Sequence, residues 1–182
     1  MAESLRIAAM GIGLPTEYDI DCIDMVIAEA NAAVDEGKAG VGAMLTWRGK
    51  VLALEHNQYA ETHDVTAHGE MSILRAQAER LDGMSDEDKK DLCMYVTLEP
   101  CLMCLSAMSL VGIPRVVYAA LSEDANIEQA LLEGATARNV NDALVRGPLE
   151  LVPGVRREEG IKLLERMDMR RGDPDSGVGH TD

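Results

Sequence analysis

The chain has 182 residues, 47% of them hydrophobic, which suits one globular domain with a full core, expected over residues 1–169 ahead of a disordered tail at 170–182. Seventeen basic against thirty-two acidic residues give a net charge of −15. Such a surface repels phosphate backbones and acidic membranes and argues against nucleic acid or a membrane as partner, and one Trp, four Tyr and no Phe leave few rings on which unpaired bases could stack.

The first fifteen residues, with Glu3 early, a lone Arg6 and a weak apolar run, do not read as a secretory signal. The apolar stretch 102–113 is interrupted by Ser106 and Ser109 and is far shorter than the roughly 20 residues of a membrane span. A cytoplasmic location is therefore expected. In that setting Cys22, Cys93, Cys101 and Cys104 suit metal ligation or free thiols better than a disulfide framework.

In chain order, Ile20, Ile23, Ile27, Ala30 and Val34 recur at steps of three and four and predict one face of an amphipathic helix, with Gly37 as its stop. AGVGAMLTW and VLALEH, joined through Arg48, Gly49 and Lys50, read as a β-hairpin. A polar loop at 57–66 leads to a helix over about 68–81, with Met71, Leu74, Ala78 and Leu81 as its buried stripe. MSDEDKKD reads as a solvated loop and LCMYVTL as a strand. Pro100 opens a helix running to about Val111, and RVVYAAL is another strand. Residues 123–146 look helical, LELV is a short strand, and REEGIKLLERM forms a last amphipathic helix. Helices alternating with strands after residue 67 imply parallel strands covered on both faces, with the early hairpin as an antiparallel edge. The expected fold is α/β, a three-layer α/β/α sandwich around a mixed sheet of about five strands.

The chemistry concentrates in two places. Cys101 and Cys104 stand three apart in the first turn of a helix, so their sulfurs share one face, and the helix N-terminus favours thiolates. That is half a zinc site, although an isolated CxxC in an apolar helix serves equally as a buried pair of small hydrophobes. His68 alone reads as a cap or surface residue, and Glu70 alone as a first-turn carboxylate facing the helix dipole. Taken together the balance changes. One His and two Cys make a three-ligand set with an open fourth position, which marks catalytic rather than structural zinc, and Glu70 is placed to carry a proton.

AHGE at 67–70, followed after a strand by TLEPCLMC at 97–104, resembles the H-x-E and P-C-x-x-C signature of the zinc-dependent cytidine deaminase superfamily, a signature established for zinc deaminases in general. The similarity extends over most of residues 17–169. It implies Zn2+ held by His68, Cys101 and Cys104, with Glu70 as general acid and base and Asn57 as a substrate contact, against a plain turn role for Asn57. The implied reaction is hydrolysis: Glu70 takes a proton from the attacking water and then passes protons to the ring nitrogen and to the departing ammonia. It also implies a homodimer.

Three branches of the superfamily resemble different parts of the chain. DVTAHGE and the closing LVPGVRREEGIKLLERMDMRR are similar to tRNA adenosine deaminases, although the closing helix lacks their paired Phe. HGE and GIPR resemble fungal cytosine deaminase. AALSEDANIEQALLEG resembles bacterial guanine deaminases, which implies that Glu123 or Asp124 meets the base; as plain sequence these are equally N-terminal helix carboxylates. An acidic wall suits a heterocycle with N–H donors. The expected substrate is therefore a free nucleobase, nucleoside or related aminated heterocycle, guanine ahead of cytosine. The alternatives are a tRNA-specific adenosine deaminase and a non-catalytic zinc-binding regulatory module. Val41, where Pro is usual, and Gly69, where Ala is commoner, border the pocket.

Overall fold

The computed structural model describes residues 13–126 and 135–171, with side chains in the last helix described to Asp168. The first twelve residues, much of the expected helix at 123–146 and nearly all of the expected tail lie outside the described residues.

Helix α1 (Glu17–Asp35) begins with a capping box in which the Thr16 hydroxyl accepts from the Asp19 N–H while Asp19 accepts from Thr16. Its Ile23, Val26, Ile27, Ala30 and Val34 are buried, the face that the spacing predicts. Strands β1 (Gly42–Trp47) and β2 (Lys50–His56) pair antiparallel through a two-residue turn in which Arg48 and Gly49 both have positive φ, 50° and 70°, the geometry that matches strand twist. The polar loop holds one helical turn, α2 (Tyr59–Thr62).

The helix expected over 68–81 is two helices, α3 (Gly69–Ala76) and α4 (Ala78–Asp82), separated at Gln77. The break rotates the second piece, so Ile73, Leu74 and Leu81 are buried while Ala78 is exposed. The acidic loop contains a further turn, α5 (Asp86–Lys89), capped by Ser85. Then follow β3 (Leu92–Leu98), α6 (Leu102–Val111), β4 (Arg115–Ala120), a 3-10 turn at Ser122–Asp124, α7 (Ala137–Asn141), β5 (Glu150–Val152) and α8 (Arg157–Arg171).

The sheet order is β2-β1-β3-β4-β5, with β3, β4 and β5 parallel and β1 antiparallel to both its neighbours. On one face Ala43, Leu45, Met94, Val96 and Val116 pack with Ile73 of α3 and Cys104, Leu105 and Met108 of α6. On the other, Met44, Tyr95 and Val117 pack with Cys22, Ile23 and Val26 of α1, and Leu163 and Leu164 of α8 continue that layer. Alternation along each strand divides the two cores, giving the expected three-layer sandwich.

The α1 face contains a buried polar junction. Asp19 accepts hydrogen bonds from the Tyr95 hydroxyl (3.0 Å) and from Arg115 (2.7 and 3.0 Å), joining α1 to β3 and β4. Burial pushes its carboxyl pKa up, but the bonds from Arg115 and Thr16 outweigh it and hold the group at about 2. A carboxyl held below its unfolded value of about 3.9 stabilises the fold above that pH and loses the contribution as pH falls through the range from about 4 to about 2, a contribution of about 2 kcal/mol. Replacing Asp19 by Ala strands the Tyr95 hydroxyl and leaves Arg115 only its longer pairing with Glu150, and is expected to cost about 3 kcal/mol in denaturant unfolding at neutral pH. The gap between the parent and Asp19→Asn should close on acidification. A gap that stays constant from about pH 5 to about pH 2 overturns the assignment.

Candidate metal centre

Two helix starts face each other on the α3–α6 side of the sheet. His68 is the N-cap of α3 and Cys101 the N-cap of α6, both with extended backbone and neither spending its side chain on a cap. The His68 Nδ1 lies 3.8 Å from the Cys101 Sγ and 3.7 Å from the Cys104 Sγ, and the three donor atoms are all within 4.8 Å of one another. Zinc bonds of about 2.3 Å to sulfur and about 2.0 Å to nitrogen, at tetrahedral angles, put such donors roughly 3.6 Å apart. The spacing and the donor set therefore fit zinc. Among the described residues this is the one group of three metal-ligating side chains so placed.

The electrostatics agree with a cation between these groups. Cys101 accepts from Cys104, which pulls its thiol pKa down to about 4 against burial, and His68 beside it adds to the effect. Cys104 is pushed up by its bond to Cys101 and by burial, while the Cys101 sulfur raises the His68 imidazole. Of the two thiols Cys101 is thus the readier to ionise, and cation binding favours the thiolate form of such ligands.

Glu70 follows two residues after His68 in the first turn of α3 and is 2% exposed. Burial raises its pKa, so the side chain takes up a proton more readily than an ordinary carboxylate. Its Oε2 is, among the described residues, the buried side-chain oxygen without a hydrogen-bond partner. Buried carboxylate oxygens rarely remain so unless something else is meant to meet them.

The loop residues are held by specific bonds. The Asn57 Oδ1 accepts the Gly69 N–H at 3.0 Å, so Asn57 caps α3 in place of His68, and its amide NH2 is the end left for a ligand. A Cβ at Gly69 would stand 3.1 Å from the Ala43 Cβ and 3.4 Å from the Glu55 carbonyl oxygen, so glycine lets the first turn of α3 lie directly on the hairpin. The Asp64 Oδ1 accepts from the Thr66 N–H and hydroxyl, and Arg75 reaches back from α3 to both residues, fixing the turn that delivers His68.

Glu123 and Asp124 are placed differently from the residues above. Arg157 of α8 bonds to Glu123 at 2.7 Å and to both oxygens of Asp124, which also accepts the Leu121 N–H. Their charges are answered by this guanidinium. Sequence reading passed over Glu99, whose carboxylate is spent on backbone N–H groups of Ser122 and Ala137. The available hint was a charged residue at the end of an apolar strand, immediately before Pro100 and Cys101.

Residues 16–120 match the family model for the cytidine and deoxycytidylate deaminase zinc-binding region. The chain belongs to that family. It is 37% identical over 98 residues to a tRNA-specific adenosine deaminase of Agrobacterium fabrum, covering 54% of this chain and 62% of that relative. The chain thus spans less than two thirds of that relative's length. It is 34% identical over 125 residues to a cytosine deaminase of Candida albicans, covering 66% of this chain and 79% of the relative. A guanine deaminase structure from Nitrosomonas europaea superposes with a TM-score of 0.70 at 20% identity over 87% of each chain, a likeness of fold. The expectation that net charge sets nucleic acid aside is not supported, because a relative of this similarity is tRNA-specific. The described residues contain no helix long and apolar enough to cross a membrane.

One zinc per chain is expected on metal analysis of the purified protein. Cys104→Ser should lower zinc affinity at least about 100-fold, because the imidazole and one sulfur cannot replace the missing ligand. Stoichiometric, equally tight zinc in Cys104→Ser overturns the ligand set.

Proposed function

We propose that this chain is a zinc-dependent hydrolytic deaminase that removes an exocyclic amino group, as ammonia, from an aminated heterocyclic base, and that adenosine in a tRNA is its leading substrate. The observation that carries the reaction class is the buried, unpartnered Oε2 of Glu70 beside His68, Cys101 and Cys104.

Zinc held by those three residues would supply a Lewis acid that makes hydroxide available at neutral pH, lowering the pKa of water from about 16 to about 7. The rest falls to the chain's own groups. Glu70 accepts one proton from the attacking water and gives it to the ring nitrogen, then moves the second, from the new hydroxyl, to the leaving amine, so that water and the amine are exchanged for a carbonyl and ammonia. Its burial keeps bulk water from competing for that proton. Asn57, oriented by the Gly69 N–H, offers a donor to an acceptor on the ring. The homodimer implied by the family resemblance belongs to this proposal.

The tRNA-specific relative supports the adenosine reading, and the pairing of Glu123 and Asp124 with the one guanidinium of Arg157 leaves the acidic wall a single net charge, which weakens the argument for guanine. A free nucleobase is the second reading, and the net charge of −15 is what favours it. The deciding experiment measures ammonia release by the zinc-loaded protein from a tRNA anticodon stem-loop, adenosine, guanine and cytosine. Inosine formed in the stem-loop, with affinity falling steeply as salt rises, supports the first reading. Release from a free base alone establishes the second. Glu70→Gln should retain its zinc and lose about 100-fold to 10,000-fold in turnover. Parent-like turnover in Glu70→Gln overturns the mechanism under either reading.

A further inference from the structure

Glu99 is a buried carboxylate that the reaction does not use. It is 9% exposed and stands two residues before Cys101, with Pro100 between them. Its Oε2 accepts the Ser122 N–H at 2.9 Å and its Oε1 accepts the Ala137 N–H at 2.8 Å, while its own N–H donates to the Ala120 carbonyl at 2.8 Å. One side chain therefore ties the end of β3, already laddered to β4 through Leu98 and Ala120, to the turn after β4 and to the first residue of α7.

The two cysteine ligands differ in how they are held. Cys104 is fully buried and packed in the core beneath α6. Cys101 is only partly buried, sits at the N-cap and makes no capping bond with its side chain. Pro100 lacks an N–H and cannot anchor the turn. The backbone that delivers Cys101 is consequently held on one side by its own helix, through the Leu105 N–H on the Cys101 carbonyl, and on the other by Glu99.

Resting on the zinc reading of the centre, we propose that Glu99 is a positioning residue: by pinning the Cys101 turn to Ser122 and Ala137, its carboxylate sets where the Cys101 sulfur stands within the ligand set. Two acceptor oxygens are required, because both partners are donors. Gln at this position turns one acceptor into an NH2 that meets a backbone N–H, and one of the two segments must move away. Asp keeps both acceptors on a stem one methylene shorter, which cannot reach both segments at once.

The test compares the parent, Glu99→Gln and Glu99→Asp by three measurements on the full chain: zinc dissociation constant by competition with a chromophoric chelator, the absorption spectrum of the cobalt(II)-substituted protein, and thermal unfolding of the metal-free protein. Glu99→Gln is expected to unfold cooperatively, to bind zinc about tenfold more weakly, and to show shifted cobalt–thiolate bands, with Glu99→Asp between it and the parent. A role confined to general stability would lower the unfolding temperature and leave the cobalt spectrum of the folded protein unchanged, and that result overturns the proposal. So does zinc affinity within about twofold of the parent. Should Glu99→Gln fail to fold, Glu99→Asp decides by the same two criteria. A parent that binds zinc and cobalt but releases no ammonia refutes the proposed activity and leaves this comparison decisive; a parent that binds neither refutes the metal centre itself, and this role with it.

Discussion

The structure turns on one close approach, that of the His68 imidazole to two cysteine sulfurs, 3.8 and 3.7 Å away. Three such donors gathered in a largely buried place compete for protons unless a cation lies among them. The arrangement has a structural consequence as well. Both N-cap side chains, His68 and Cys101, point at each other rather than at the N–H groups of their own helices. Those N–H groups need other acceptors, and Asn57 supplies one from the preceding loop. The loop that bears Asn57 and the helix that bears Glu70 are thereby joined by the same need that created the metal centre.

What could be read in advance was whatever repeats at short range. Residues at steps of three and four marked α1, short apolar runs and a Gly-containing turn marked the strands, and two motifs only a few residues long held the ligands and Glu70. The break at Gln77 was not legible, because the apolar spacing continues through it and only packing exposes Ala78. Nor was the Asp19 junction, since its partners Tyr95 and Arg115 lie 76 and 96 positions away. Asn57, expected as a substrate contact, holds the Gly69 N–H, a bond between segments that its sequence neighbours do not announce. Nor was the partner of Glu123 and Asp124 legible: their counter-charge on Arg157 comes from an element more than thirty positions downstream. Local pattern reports the chemistry a residue can offer and is silent on whether another residue has already claimed it.

Charge illustrates the same limit. At −15 the chain as a whole repels a polyanion. The structure sharpens this, because basic side chains such as Arg48, Arg75, Arg156 and Arg157 are already matched to neighbouring carboxylates. An RNA phosphate must displace one of these partners or find another cation, and each displaced surface pair costs no more than about 1 kcal/mol. Net charge therefore sets the salt dependence and strength of an encounter with RNA more than it forbids one.

Strand β3 is where the two halves of the molecule meet. Its Met94 and Val96 face the core beneath α6, while Cys93 and Tyr95 face α1. A shift of one residue would exchange these faces, so the bond from Tyr95 to Asp19 does more than satisfy a buried hydroxyl: it fixes the register of the strand from the far side of the sheet. Arg115 does the same for β4, which pairs with β3 from Cys93 to Leu98. The strand's end is Leu98, followed at once by Glu99, Pro100 and Cys101. The strand that leads to a metal ligand on one face of the sheet thus has its register held by a polar junction on the other. That coupling explains why a fold can leave a carboxylate oxygen of Glu70 unsatisfied at its centre: the cost is borne by a frame held from both sides.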